Sequence, residues 1–455
     1  IQRDSQSLPE VTTGSMDALR AFALGQKRYS RGDFNGAMAF FGQAIEVDPE
    51  FALAWLGQAR CRFAMMNYRD ARRLLAEADR RSGHLTPRER LYVQNWALQI
   101  SDPDRATDGW ARMAELYPDY MPASYNAGLN LFHENRLAEA LALSRRVAQS
   151  RVELPEIAQD QYGRALLASE RYAEADIAFS RAAGNGWEGA LMRQATVAAA
   201  RSEFEKANAL LARIDPGNFH AGNFATTIAL DQGDVEGAIK LAEQGRMLAG
   251  QRQGMDRYNF DMPLAVAYMM AGRRSKALMV ARVAATAPFA ELSGEPAVEV
   301  VDRLVAAHAA ALLALRLGDA APAKAVQARM NALQDLPDSS VLRQYVTLLA
   351  GRMMQHEGRP QAGLDLLVPL LKKQPRLQVR LAVRDLALEA GLKDVAQEQT
   401  RWLRDRPGFA YAEAQCSFCL QALNVVDVRR LMAAPAIEAA DTMASMPQRS
   451  VRGEP

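Results

Sequence analysis

Cys416-Ser417-Phe418-Cys419 is the one stretch of this 455-residue chain whose residue types and spacing suit redox or metal chemistry. A C-x-x-C pair is reactive when it opens a helix behind a strand, where the helix dipole lowers one thiol pKa. Here the pair falls inside Ala410 to Leu423, which the sequence predicts to be one helix with no strand before it. Two packed cysteines are therefore expected, and a thiol-dependent enzyme using Cys416 and Cys419 is the alternative. Cys61 stands apart, and His84, His133, His220, His308 and His356 are scattered singly, so nothing completes a zinc ligand set. Asp102 and Asp104 fall between predicted helices and read as helix-start residues, not as an acid/base pair. No glycine-rich phosphate loop, nucleophile elbow or H-E-x-x-H occurs. The expectation is a non-enzyme without cofactor or metal.

Charge and hydropathy narrow the partners. Lys plus Arg number 55 against 53 Asp plus Glu, a net charge of +2, which provides no basic field for nucleic acid and no acidic tail. The longest apolar stretch, Val305 to Leu317, is interrupted by His308 and Arg316 and falls short of the roughly 20 residues of a membrane span. Three cysteines are too few for a disulfide framework. Residue 1 is Ile, so a piece of a longer polypeptide is expected, with residues 1–14 (Ser5, Ser7, Pro9, Thr12, Thr13, Gly14) as a tether to an upstream module.

The elements that must position any site are set by a repeat. Alanine recurs at 37, 71, 106, 140 and 175, at intervals of 34 or 35 residues. A period of that length with small residues at fixed offsets implies stacked helical hairpins, because one hairpin cannot bury its own apolar face. In the first unit Leu24-Gly25, Gly32, Phe34, Ala37, Phe41, Ala44 and Pro49 supply close crossings, gap-filling aromatics and a helix stop. Later units repeat the pattern with Trp55, Tyr68 and Ala71, with Ala106, Trp110 and Pro118, with Gly128 and Ala140, and with Gly163, Tyr172, Ala175 and Phe179. Thr86-Pro87-Arg88-Glu89 is a capping box with proline at the first helical position. Ala207, Ala238, Ala277, Ala323, Gly363 and Ala396 continue the series at intervals drifting from 31 to 46. The fold expected is an all-α solenoid of ten to eleven hairpins, regular over 15–286 and degenerate over 287–423. Pro288, Gly294 and Pro296 mark the expected break, and 424–455 should form a short helix and a disordered tail.

This pattern resembles the tetratricopeptide repeat family. Leu8 to Gly25 and the phrase Leu85-Thr86-Pro87-Arg88-Glu89-Arg90-Leu91-Tyr92 are similar to the tetratricopeptide region of large bacterial signalling proteins, over about residues 8–150. In that group the array follows a Ser/Thr kinase, a nucleotide cyclase or a winged-helix module, often across one membrane helix. The resemblance thus implies a sensing or docking role, and a place outside the cytoplasm where such a helix intervenes. It also implies that the first helix of each hairpin lines a concave groove that reads a protein or peptide. Its contact positions map to Phe22, Gln26, Tyr29, Arg60, Phe63, Asn95, Gln99, Tyr125, Phe132, His133, Asp160, Arg164, Asn223 and Thr227. No unit presents the paired lysines and asparagines with which some arrays clamp chaperone C-termini. Met262, Met269, Met270 and Met279 suit either an adaptable surface or a loosely packed core. A structural assembly role, with homo-oligomerisation through the convex face or terminal hairpins, is the second reading.

Overall fold

Small residues set the spacing of every hairpin. In the computed structural model, residues 13–150, 155–184, 189–215, 217–249, 258–289, 292–333, 336–413 and 420–434 are described, and they contain 24 α-helices and no strand. The first-turn hairpins are α1 Met16–Ser30 with α2 Phe34–Val47, α3 Ala52–Ala64 with α4 Tyr68–Arg80, and α5 Pro87–Ser101 with α6 Pro103–Leu116. These are followed by α7 Met121–His133 with α8 Leu137–Ala148, α9 Pro155–Ala168 with α10 Tyr172–Ala183, and α11 Gly189–Ala200 with α12 Phe204–Leu211. Next come α13 Phe219–Gln232 with α14 Val235–Ala249, and α15 Tyr258–Met270 with α16 Arg274–Thr286. The last full hairpins are α17 Ala297–Arg316 with α18 Ala321–Ala332, α19 Ser340–His356 with α20 Pro360–Leu367, and α21 Leu377–Glu389 with α22 Lys393–Arg404. A shorter closing pair, α23 Pro407–Ala412 and α24 Gln421–Ala433, ends the described chain.

The eleven small residues of the series all lie on second helices, ten at the fourth helical position and Ala323 at the third, and all are buried. The crossing there is too close for a larger side chain. Phe41 on α2 shows the complementary half of the device: a Cβ on Gly25 or Gly57 would meet its ring at 2.6 or 2.7 Å. The Thr86 capping box forms as expected, Glu89 N–H donating to Thr86 Oγ1 at 3.2 Å while the Glu89 carboxylate accepts from Thr86 N–H at 2.9 Å.

The later intervals lengthen because the first helices lengthen, to 20 residues in α17 and 17 in α19. The stack continues through the expected break, where a 3₁₀ turn at Ala287–Phe289 leads on to α17, which packs against α16. Met262 is core, Met269 and Met270 are partly buried, and Met279 is 60% exposed. The single helix expected over Ala410 to Leu423 does not form. Helix α23 stops at Ala412, and Glu413 (φ −57, ψ 114) leaves the helical region while its carboxylate accepts from Asn135 and from the Leu377 and Asn424 N–H groups. Cys416 and Cys419 lie outside the described residues.

The superhelix closes on itself. Tyr68 donates to Asp302 at 3.3 Å, Arg72 to Gly294 O at 2.8 Å, Ser340 N–H to Asp104 at 2.7 Å, and Gly408 N–H to Glu170 at 2.9 Å. These partners are separated by 234, 222, 236 and 238 residues, about seven repeats, so one superhelical turn rests on the next. The turns between paired helices form one edge of the ribbon, and they meet helix starts on the other edge.

That seam explains an irregularity in the turns. In ten of the eleven hairpins one turn residue has positive φ, and glycine takes six of these positions. The other four carry side chains: Met66, Asn135, Glu170 and Ser202, at φ 57 to 63. Such backbone is costly for a residue with a Cβ. Asn135 donates to Glu413 at 2.7 Å, Glu170 accepts from Gly408 and Phe409, and Ser202 accepts from Arg429 at 2.7 Å. At these three turns the side chain is the contact that holds the second turn of the superhelix.

Candidate functional site

Closure turns the concave groove into a chamber and leaves a cleft beyond it. The chamber, a cavity of about 360 Å³ partly open to solvent, lies between the inner faces of α3, α5, α7 and α9 and the starts of α17, α19 and α21. Gln99 organises one wall: its Oε1 accepts from Trp110 Nε1 at 3.0 Å and from Asn130 Nδ2 at 2.9 Å. Phe63 and Trp96 stack edge to face at 5.3 Å between centroids. The Arg164 guanidinium sits 4.8 Å over the Phe132 ring, and Arg193 pairs with Asp160 at 3.1 Å. Burial, and next the Arg193 charge, lower the Arg164 pKa to about 10. His133 lines this enclosure, and burial followed by the charges of Arg164 and Arg376 depresses its pKa. Its backbone carbonyl accepts from Arg376. Burial pushes the Asp302 carboxyl up to about 7.

Of the fourteen positions named from sequence, Phe63, Gln99, His133 and Arg164 line this chamber. The others mostly join one repeat to the next. Phe22 packs on Phe41 and Phe51, and Arg60 reaches back 34 residues to Gln26 at 3.1 Å while stacking 4.2 Å over Tyr29. Asn95 donates to Gly109 O at 3.1 Å, Asn223 donates to Asn259 O, and Thr227 is 1% exposed. Phe132 is buried beneath Arg164, Asp160 holds Arg193, and Tyr125 is half-buried near Met121, Val147 and Ala158. The first turn is narrow: α1 and α9 approach within 8 Å between Cα atoms across the lumen.

The second site is a cleft of about 340 Å³ on the inner faces of α17, α19 and α21. It is crossed by a polar ladder, Arg352 to Asp385 at 2.9 Å and Gln355 to Glu389 at 2.5 Å, with Arg384 to Asp385 at 2.6 Å. Sequence reasoning did not nominate these residues, nor Trp96, Arg193, Asp302 and Arg376 in the chamber. The signal was present in part, since Arg352 and Asp385, like Asp160 and Arg193, lie 33 residues apart, one repeat on.

Residues 28–83 match the tetratricopeptide repeat family. No curated protein matches the chain in sequence. Among solved structures, the human IFIT1 dimer with m7Gppp-AAAA is similar over 94% of this chain and 92% of its own, at 13% identity and a TM-score of 0.39. Yeast Tom70 is similar over 87% of this chain and 91% of its own, at 12% identity and 0.33. PilW, a type IV pilus biogenesis factor, is similar over 63% of this chain and 97% of its own, at 16% identity and 0.25. Residues 28–83, from the end of α1 through α4, therefore carry the tetratricopeptide repeat, and a buried small residue at the third or fourth position of the second helix recurs through eleven hairpins of the same helical build.

Proposed function

We propose that this chain is a non-catalytic docking scaffold, the sensor or docking region of a bacterial signalling protein, and that its partner peptide binds the inner face of the second superhelical turn. The observation that carries the reading is the cleft over α17, α19 and α21, where first helices line an accessible concave surface with alternating guanidinium, amide and carboxylate groups. Leu312, Leu348 and Leu388 supply an apolar floor beneath them. An extended peptide laid there exchanges its backbone and polar side chains against Gln355, Arg352 and Glu389 while burying apolar groups on the leucines. The first-turn positions packed between repeats serve the scaffold, and Phe63, Gln99, His133 and Arg164 border the separate chamber. The similarity of the opening phrases to bacterial signalling arrays supports the sensing or docking context.

Peptide display tests the site. Peptides enriched on the whole chain should lose at least tenfold in affinity on Arg352→Ala with Glu389→Ala, with helicity unchanged by circular dichroism. Undiminished binding by that double variant places the partner elsewhere. Met279 and Val283, 60% and 47% exposed one helical turn apart on α16, favour a second reading as an assembly subunit. Under that reading mass across a dilution series shows an oligomer, and Met279→Lys dissociates it.

A further inference from the structure

The chamber has a charge balance of its own. Of the acidic groups in its wall, Glu134 is matched by Arg136 at 3.4 Å and Asp104 by Arg343 at 3.5 Å, and Asp160 beside it is matched by Arg193 at 3.1 Å. Glu413 faces the Arg376 guanidinium, and Asp302 accepts from the Tyr68 hydroxyl at 3.3 Å. Arg164 alone among the lining cations has neither an ion pair nor a hydrogen bond among the described residues: its guanidinium lies 4.8 Å over the Phe132 ring, and the nearby Asp160 carboxylate that acts on it is already paired with Arg193. A guanidinium withdrawn from bulk water without an acceptor is costly, and a ligand anion removes that cost.

A second, independent observation points the same way. Trp96 lines the chamber at 6% exposure, and its indole N–H is buried with no acceptor among the described residues. Buried donors are nearly always satisfied in a completed site. An unmatched cation and an unmatched N–H, both donors, call for one acceptor-rich group, while the rings of Phe63 and Trp96 offer a flat apolar wall. A volume of about 360 Å³ is in the range of small-molecule pockets and too small for a folded segment.

We propose that the chamber binds a small organic anion, an aromatic body bearing one carboxylate, with the carboxylate on Arg164, the Trp96 N–H as a further donor and the ring against Phe63. The site is distinct from the docking cleft, since no residue lines both. It makes the interior of the superhelix a ligand-sensing compartment whose occupant bridges first-turn and second-turn residues.

The test uses the whole chain with 2-naphthoate and its neutral isostere 2-naphthamide, followed by equilibrium dialysis. Wild type should bind naphthoate at one saturable site at least tenfold more tightly than naphthamide. Arg164→Gln should abolish that preference by weakening naphthoate alone, Arg164→Lys should retain it, and Trp96→Phe should weaken naphthoate several-fold. Arg352→Ala with Glu389→Ala should leave both probes unaffected, which separates this site from the docking cleft. Equal affinity of wild type for the two probes, no saturable binding, or an unchanged preference in Arg164→Gln overturns the proposal.

Discussion

Replacing Glu170 with glycine distinguishes an open ribbon from a closed superhelix by the sign of its effect. Glu170 has φ 62, a conformation that costs a residue with a Cβ about 1 kcal/mol and costs glycine almost nothing. In an open array its side chain would keep only the local bond it accepts from the Tyr172 hydroxyl, about 1 kcal/mol that the backbone relief offsets, and Glu170→Gly would be near neutral. In the closed superhelix its carboxylate caps α23 by accepting from Gly408 N–H at 2.9 Å and Phe409 N–H at 2.8 Å, 238 and 239 residues away. Hydrogen bonds to a charged group contribute about 1.5 to 3 kcal/mol each. The lower end applies, because burial raises the Glu170 pKa and so disfavours the charged form that accepts best. Loss of about 3 kcal/mol against relief of about 1 leaves a net destabilisation of about 2 kcal/mol. Urea denaturation followed by circular dichroism measures it. Ser202→Gly serves as the control: it relieves the same backbone and removes only an exposed bond from Arg429 at 2.7 Å, so its midpoint should stay near wild type. A Glu170→Gly protein as stable as wild type would refute the argument that these side chains sit in left-handed turns to fasten the second superhelical turn.

Two further outcomes follow from packing and proton linkage. Enlarging Ala37, Ala71 or Ala140 to leucine, each at 0% exposure, should cost roughly 1 to 3 kcal/mol, and unchanged thermal midpoints in all three would contradict the register. Asp302, raised to about 7 by burial, holds in the folded state a proton that the unfolded chain releases near pH 4. Its contribution to stability is therefore full below pH 4, falls as pH rises to about 7, and stays lost above that. The loss is on the order of 2 kcal/mol, the chamber water limiting it. Asp302→Asn should flatten that part of the urea midpoint profile between pH 4.5 and 8, and an identical slope in both proteins excludes Asp302 as its source.

Much of this architecture can be read from local requirements. A small residue at the fourth position of a second helix is demanded by a crossing within its own hairpin, so Ala37 and Ala396 announce themselves even where the intervals drift. Thr86 and Glu89 satisfy each other three residues apart, and that too is visible without a fold. The groove positions fared differently. Helical register identifies Arg164 and Gln99 as inner-face residues, but on the same face Asn95 is spent on Gly109 within its own hairpin, Asn223 on Asn259 of the next, and Thr227 is buried, which register does not distinguish. Trp96 and Arg193 belong to the chamber without standing at a nominated position. The end of α23 at Ala412 also escaped the sequence, because Glu413 is pulled from the helix by Asn135, 278 residues earlier.

The amino-acid sequence by itself determined the hairpin, its small-residue crossings and the order of stacking, because each depends on neighbours within about 34 residues. Tertiary structure alone decided that the ribbon closes after about seven repeats, since closure sums small rotations at every junction and is secured by pairs such as Glu170 with Gly408 that share no local signal. The enclosure of Arg164 and the openness of the cleft around Arg352 are consequences of that closure.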